Sequence, residues 1–265
     1  MIRSTIKNTL HKLLLPRGRA YREDETLVKN WIKEYVLKGQ KNICIIHQQT
    51  DQNVNSNGIV FLSHPYLADA KQFFLKHGHA EMYLELGFKV VILDYNGFGE
   101  STFHNFNYAE DLGIVVKHFS NLYPNIPLYG HGISFGASNL INYSTEANHL
   151  LNKIIIENCL DSNLTYYKKR NKKLFYMMKG LMKIFPAANK NHNYIKGVGK
   201  IIDISKILFI YNTDDTLTTI EMGEKLQVNC KLPSELAIFG GKHLEAFDAE
   251  PERYRNIITL FFDKN

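Results

Sequence analysis

Short apolar runs alternate along this chain with longer segments whose apolar residues recur at helical spacing. Helices are predicted over 22–38, near 66–86, over 108–122 and from Ala137 onward, and strands over 42–47, 59–63, 89–94, 126–130, 153–158, 207–211 and 235–239. Strands that alternate with helices in this way pair in parallel, with helices on both faces of the sheet. The pattern predicts an α/β fold, and 265 residues suffice for one such domain with a modest insertion.

One pentapeptide, Gly132-Ile133-Ser134-Phe135-Gly136, lies between a predicted strand and a predicted helix. G-x-S-x-G in that context is typical of a nucleophile elbow, because small residues two before and two after the serine let the backbone turn sharply and expose the hydroxyl. A serine hydroxyl is a weak nucleophile at neutral pH. It needs a histidine to accept its proton and a carboxylate to orient that histidine. Ser134 is therefore the candidate nucleophile.

Both partners follow Ser134 in the chain, each just past a predicted strand. Asp214 and Asp215 follow the strand at 207–211, and His243, the only histidine after Asp215, follows the strand at 235–239. The order serine, acid, histidine is the one expected with this elbow. Because the carboxyl ends of parallel strands gather at one edge of a sheet, these distant side chains are predicted to meet there.

From about residue 41 to the end, the sequence resembles the α/β-hydrolase family. Besides the elbow, the resemblance rests on residues 87–101, GFKVVILDYNGFGES, which match the family's fourth strand and the loop after it, G-[YF]-x-V-x-x-x-D-x-x-G-x-G-x-S. It implies a mostly parallel central sheet with helices on both faces and a small helical cap inserted after the sixth strand. The expected organisation is an N-terminal helical arm (1–40), a core in two parts (41–160 and 206–265) and a basic cap or lid (161–205).

The resemblance also assigns the orienting acid and the base. Residues 211–215 match the family's H-G-x-x-D loop, which makes Asp215 the acid, and residues 240–243 match its G-x-G-H position, which makes His243 the base. Asp214 remains an alternative, since a one-residue difference in the loop would exchange the two aspartates. Asp161 is a third candidate, because some members place the acid after the strand at 153–158.

The implied oxyanion hole takes one backbone N–H from Phe135 and a second from the loop after the third strand, His64-Pro65-Tyr66. The family usually has His-Gly where this chain has His-Pro. Proline carries no N–H, so the second donor would be the amide of Tyr66. His64 is expected to brace this loop, with contact to substrate as the alternative.

The segment between Asp161 and the strand at 207–211 is too long for a simple crossover. Apolar residues recur there at helical spacing, namely Leu174, Met178, Leu181 and Phe185, widened by Phe175, Met177 and Met182. A helix lying over the active site with this face down would bind an acyl or aromatic group, with Phe175, Met178 and Met182 as substrate-binding residues. An ordinary helix packed on the core is the other interpretation.

Basic charge is concentrated in two segments. Residues 162–202 hold ten Lys or Arg and no acidic residue, and residues 1–20 hold five more with no acid. Because the whole chain carries +6, these fifteen positive charges leave −9 for the remainder. A positive cap beside a cleft would concentrate anionic ligands, such as a coenzyme A or carrier-protein thioester, anionic phospholipid or an acidic partner. A solvated lysine-rich face is the alternative.

The N-terminal residues 1–20 predict a helix with one apolar stripe and basic flanks. It is expected to pack on the domain, with contact to a membrane surface or to a partner as the alternatives. No run in the sequence approaches the roughly 18 apolar residues of a membrane span.

The three cysteines, Cys44, Cys159 and Cys230, form no paired motif, which favours a reducing, cytoplasmic compartment. No metal-binding spacing, phosphate loop or nucleic-acid motif is present, so neither metal, cofactor nor nucleic acid is expected.

These features together predict a cofactor-independent serine hydrolase that cleaves a carboxylic ester or thioester. The Met- and aromatic-rich cap favours a medium or long acyl group. An acyltransferase that uses the same triad is the nearest alternative, and a non-catalytic binding protein with this fold is the alternative from another class. The serine at the elbow argues against dehalogenase chemistry, for which relatives of this scaffold carry a carboxylate at that position.

Overall fold

The computed structural model describes residues 21–48, 56–184 and 192–263. Eight strands in this part of the chain form one sheet in the order β1-β2-β4-β3-β5-β6-β7-β8. They are β1 Ile32–Lys38, β2 Lys41–His47, β3 Ile59–Ser63, β4 Lys89–Leu93, β5 Leu128–Ile133, β6 Lys153–Glu157, β7 Lys206–Asn212 and β8 Ser234–Phe239. β2 is antiparallel to both β1 and β4, and all other pairs are parallel. The predicted α/β fold with a mostly parallel sheet is confirmed.

Helices cover both faces of this sheet. They are α1 Glu25–Val28, α2 Gln72–Lys76, α3 His79–Glu85, α4 Tyr108–Leu122, α5 Phe135–Ser144, α6 Asn163–Arg170, α7 Lys172–Ile184, α8 Tyr194–Val198, α9 Ile220–Asn229, α10 Ala246–Ala249 and α11 Pro251–Phe262. Ile59 and Phe61 of β3 belong to a core cluster with residues of α4, α5, α8 and α9, whereas Val60 and Leu62 belong to a second cluster with α2, α3 and α11. Alternate side chains of a strand point to opposite faces, and here both faces are apolar because both are covered.

The helix predicted over 22–38 is wrong in its second half. Only Glu25–Val28 is helical, and Ile32–Lys38 is an edge strand that pairs antiparallel with β2. Val36 is the one residue of β1 that is buried, so the strand leaves almost no alternating apolar pattern in the sequence. Gly39, at φ +60°, supplies the tight turn that allows this pairing.

Two other predicted elements have different boundaries in the structure. The helix expected near 66–86 is two short helices, α2 and α3, separated at Gly78, which has φ +72°. The strand expected at 126–130 is Leu128–Ile133, so it runs directly into the elbow. The predicted arm at 1–20, most of the Asn-rich turn at 51–58 and Phe185 lie outside the described residues.

The loop after β4 is built around the Asp94 carboxylate. Its Oδ1 accepts a hydrogen bond from the backbone N–H of Lys71 (2.9 Å), and its Oδ2 accepts one from the N–H of Glu100 (3.0 Å). A Cβ at Gly99 would overlap this carboxylate, and the Ser101 hydroxyl donates to the Asp94 carbonyl (2.7 Å). The aspartate, second glycine and serine of the D-x-x-G-x-G-x-S motif therefore form one structural unit.

The Lys71 ammonium is the cation of this unit and is completely buried. It lies 2.8 Å from Asp94 Oδ2 and 2.9 Å from Glu100 Oε2, and it donates to the Tyr21 hydroxyl at 2.8 Å. Partial burial opposes ionisation of Glu100, but hydrogen bonds from Lys71 and Lys33 outweigh it and lower the pKa of Glu100 to about 2. The cluster thus joins the loops after β3 and β4 to the start of the described chain.

We expect Lys71→Met to destabilise the protein by about 3–5 kcal/mol, because it leaves buried carboxylates without their cation. Lys76→Met is the matched control, since Lys76 pairs with Asp69 at an exposed position (2.6 Å) and such a pair contributes about 0–1 kcal/mol. Urea unfolding at pH 7 measures both changes. Ionised Glu100 contributes to the free energy of unfolding. This contribution is fully present above pH 4.5, the ordinary pKa of a glutamate, and is lost as the pH falls toward 2. The difference in free energy of unfolding between Lys71→Met and the unsubstituted protein should therefore shrink over that pH range. Equal losses of stability in Lys71→Met and Lys76→Met would contradict the role assigned to the Lys71 cation.

Candidate active site

The elbow places Ser134 between the end of β5 and the start of α5. Its backbone has φ +55° and ψ −108°, a conformation that non-glycine residues rarely adopt. The Ser134 N–H donates to the carbonyl of Glu157 at the end of β6 (2.8 Å). The side chain therefore projects at the carboxyl edge of the sheet, where the neighbouring strands also end.

Both glycines of the pentapeptide are required by close backbone contacts. A Cβ at Gly132 would lie 2.7 Å from the backbone of Gly136 and Ala137, and a Cβ at Gly136 would overlap the carbonyl oxygen of Ser63. The second contact brings the first turn of α5 against the end of β3. The loop that follows β3 consequently lies beside the nucleophile.

The structure brings Ser134, His243 and Asp215 together in one chain of hydrogen bonds. His243 Nε2 lies 3.0 Å from Ser134 Oγ, and His243 Nδ1 lies 2.6 Å from Asp215 Oδ2. With Nδ1 donating to the carboxylate, Nε2 is free of a proton and can accept one from the serine hydroxyl. Asp215 is buried, whereas the Asp214 side chain is exposed, and Asp161 accepts a hydrogen bond from Ser162. Of the three candidate aspartates, Asp215 is the one in contact with His243.

The Asp215 carboxylate is held in its charged form by several donors. Oδ1 accepts from the backbone N–H groups of Leu217 and Thr218 at 2.8 Å each, and Oδ2 accepts from the Thr218 hydroxyl as well as from His243. Burial opposes ionisation, but the hydrogen bonds from His243 and Thr218 outweigh it and lower the pKa of Asp215. Thr218, whose Oγ1 also lies 3.1 Å from His243 Nδ1, was not identified from the sequence. A hydroxyl residue three positions after the aspartate is the signal that could have pointed to it.

The backbone that carries His243 is held by the end of β6. Asn158 Oδ1 accepts from the N–H of Leu244 at 3.3 Å, and both residues have positive φ, +48° and +74°. The carbonyl of the preceding residue, Glu157, accepts the hydrogen bond from the Ser134 N–H. Two adjacent residues therefore position Ser134 and His243 relative to each other, and no sequence motif indicated Asn158.

The loop with the second proposed oxyanion donor is braced by His64. The His64 ring is completely buried. Its Nδ1 lies 2.8 Å from the carbonyl of Pro65, and its Nε2 accepts the Tyr95 N–H at 3.2 Å. Burial lowers the pKa of His64, which favours the neutral form that these two contacts require. Both ring nitrogens therefore contact backbone groups of the loops after β3 and β4, as a bracing residue would. Phe135 and Tyr66 are both half-buried at the rim of the site.

The cap segment lies beside the loop that carries Asp215. Lys169 of α6 donates to the carbonyls of Thr216 and Leu217 (2.8 and 3.2 Å). In the part of α7 whose side chains are described, Phe175 and Met178 are half-buried, and no apolar residue joins either core cluster. The Met182 side chain is outside the described set. This arrangement does not favour the interpretation of an ordinary helix packed on the core.

A group that could hold a metal ion occurs once among the described residues, at Cys44, Asp94 and Glu100. The Lys71 ammonium contacts both of these carboxylates, and burial raises the pKa of the Cys44 thiol to about 12. A neutral thiol is a poor ligand, and the lysine already supplies the positive charge, so these residues do not fit a metal.

Within the described ranges, no helix has the length and apolar character needed to cross a membrane.

Several solved structures share this architecture. An esterase from Pyrococcus furiosus aligns with a TM-score of 0.69 at 17% identity, over 91% of this chain and 92% of that one. An enol-lactonase from Burkholderia xenovorans aligns at 0.63 with 13% identity, over 87% and 100%. A thioesterase domain from the curacin biosynthetic pathway aligns at 0.61 with 12% identity, over 88% and 99%. No family model and no curated protein matches the chain. At these identities the likeness defines the fold, and this chain has the α/β-hydrolase fold.

We expect Thr218→Val to raise the pKa of Asp215 toward its ordinary value, because the carboxylate loses its hydroxyl donor while keeping its burial. Thr216→Val is the control, since Thr216 is exposed and one residue from Asp215. Carbon-detected NMR titration of the aspartate carboxyl groups measures the change. A titration of Asp215 that is the same in both variants would show that Thr218 does not stabilise the carboxylate.

Proposed function

We propose that this protein is a serine hydrolase that cleaves a carboxylic ester or thioester through an acyl-enzyme intermediate. The observation that carries the proposal is the chain of hydrogen bonds from Ser134 Oγ through His243 to Asp215, at 3.0 and 2.6 Å. Such a chain converts a weak hydroxyl into a nucleophile. The strained backbone at Ser134 supports the proposal, because such strain is characteristic of functional sites.

In the proposed reaction, His243 Nε2 accepts the proton of Ser134 as Oγ attacks the carbonyl carbon. The negative charge that develops on the carbonyl oxygen would be stabilised by the backbone N–H groups of Phe135 and Tyr66. The tetrahedral intermediate then expels the leaving group, which takes the proton from His243. Water, deprotonated by the same nitrogen, then adds to the acyl carbonyl carbon. The bond between this carbon and Ser134 Oγ breaks, the acid leaves, and Oγ regains its proton from His243. Asp215 stays ionised throughout and stabilises the charged form of His243.

The known activities of similar folds agree with acyl chemistry. The three structural relatives above are an esterase, an enol-lactonase and a thioesterase domain. An acyltransferase would use the same residues with an alcohol or amine in place of water. A non-catalytic binding protein would have no need for a serine paired with a histidine and carboxylate in this geometry, so the paired triad favours an enzyme.

For the substrate, we propose an acyl group that lies against the cap, with Phe175, Met178 and Met182 as its contacts. The basic face of the cap would attract an anionic leaving group such as coenzyme A or a carrier protein. The described residues of α6 and α7 hold seven Lys or Arg and no acidic residue. Peripheral membrane contact through residues 1–20, and a cytoplasmic location, remain part of this proposal.

We expect a fluorophosphonate probe to label the protein and Ser134→Ala to abolish the labelling. Ser144→Ala is the matched control, because Ser144 is a buried serine at the other end of the same helix, and it should label as well as the unsubstituted protein. In-gel fluorescence measures the labelling. Labelling that persists in Ser134→Ala would refute the assigned nucleophile.

We further expect charge reversal of the cap to weaken an acyl-coenzyme A substrate selectively. Lys172→Glu/Lys173→Glu should raise the KM for the thioester by about tenfold and leave the KM for the corresponding neutral p-nitrophenyl ester unchanged, with the difference shrinking in 1 M salt. Lys117→Glu/Lys225→Glu has the same net charge change at exposed positions on α4 and α9. If this control raises the thioester KM equally, the cap is not the recognition surface.

A further inference from the structure

The side chains of the two proposed oxyanion donors pack against a common third ring. Tyr66 and Phe135 contact each other with ring centroids 5.6 Å apart, and Phe98 lies 5.2 Å from Tyr66 and 5.6 Å from Phe135. These separations fall within the range in which aromatic rings attract one another. The three residues come from the loop after β3, the first turn of α5 and the loop after β4, so the triangle joins three separate segments.

Phe98 is the fully buried member of this triangle. It lies between Gly97 and Gly99, whose φ values of +85° and +50° set the path of the loop, and Gly99 is fixed against the Asp94 carboxylate. The direction of the Phe98 ring is thus determined by the rigid loop after β4. The ring also lies 5.2 Å from His64, which braces the Pro65 carbonyl.

The two donors differ in how their backbones are held. Phe135 is the first residue of α5, so the elbow itself fixes its backbone amide. Tyr66 is the central residue of a tight turn closed by the Leu67 N–H and the Pro65 carbonyl (2.8 Å), and no helix or strand contains it. Side-chain packing therefore contributes to its orientation relative to Phe135, and the Phe98 ring contacts both side chains.

We propose that Phe98 is a positioning residue for the oxyanion hole, which holds the Tyr66 turn at the correct distance from the Phe135 amide. The inference rests on the proposed function. An oxyanion donor must lie about 2.7–3.1 Å from the site of the developing charge, and a displacement of about 1 Å can cost on the order of a hundredfold in rate. Because the negative charge is absent from the bound substrate and develops only on the way to the tetrahedral intermediate, the loss falls on kcat and leaves KM nearly unchanged.

The test compares Phe98→Leu with Phe119→Leu. Phe119 is a matched control, because it is 2% exposed, belongs to the same core cluster and makes edge contacts with Phe61 and His47, away from the two donors. Hydrolysis of a p-nitrophenyl ester gives kcat and KM. Inhibition by an alkyl boronic acid, whose serine adduct places an oxygen in the oxyanion hole, gives Ki, and thermal unfolding shows how much each variant is destabilised.

We expect kcat of Phe98→Leu to fall at least about tenfold below that of Phe119→Leu. Its boronate Ki should rise by a similar factor, while KM stays within about twofold. Equal kcat values in the two variants, or a raised KM with an unchanged Ki, would overturn the inference. Phe98→Met provides the same comparison if Phe98→Leu does not fold. An active Ser134→Ala would refute the proposed function itself, whereas an inactive Ser134→Ala beside a fully active Phe98→Leu would refute only the role of Phe98.

Discussion

The close backbone contact at the elbow is the constraint on which the site depends. Gly132 and Gly136 leave no room for a Cβ, and Ser134 adopts a positive φ between them. This geometry aims the hydroxyl away from the sheet and presses the first turn of α5 against the end of β3. One steric requirement thus places Ser134, the Phe135 amide and the loop of Tyr66 at the same edge of the sheet.

The end of β6 supports this arrangement. The Glu157 carbonyl accepts a hydrogen bond from the Ser134 N–H, and the Asn158 side chain accepts one from the N–H of Leu244, the residue after His243. The Glu157 carboxylate is itself buried. It accepts a hydrogen bond from Tyr254 at 2.5 Å and lies 3.1 Å from His131, inside the second core cluster. A polar network within the core therefore fixes the strand end that contacts the segments carrying Ser134 and His243.

The sequence was informative where local geometry requires particular residue types. The glycines of the elbow and the D-x-x-G-x-G-x-S loop are irreplaceable for steric reasons, so they indicate both the fold and the serine. The edge strand β1 was not predictable, because it is mostly exposed and is stabilised by backbone pairing that leaves no side-chain pattern. Thr218 contacts Asp215 only three residues away, so the local spacing could have indicated it. Asn158 and Phe98 instead contact segments distant in the chain. No local pattern predicts such contacts.

In the proposed reaction, Ser134 carries the acyl group during turnover. The direct measurement is peptide mass spectrometry of protein quenched in acid during hydrolysis of a slowly deacylating ester. We expect an acyl adduct on Ser134 that is present in the unsubstituted protein and lost in Ser134→Ala. Turnover without any adduct on this serine, or an adduct on a different side chain, would contradict it.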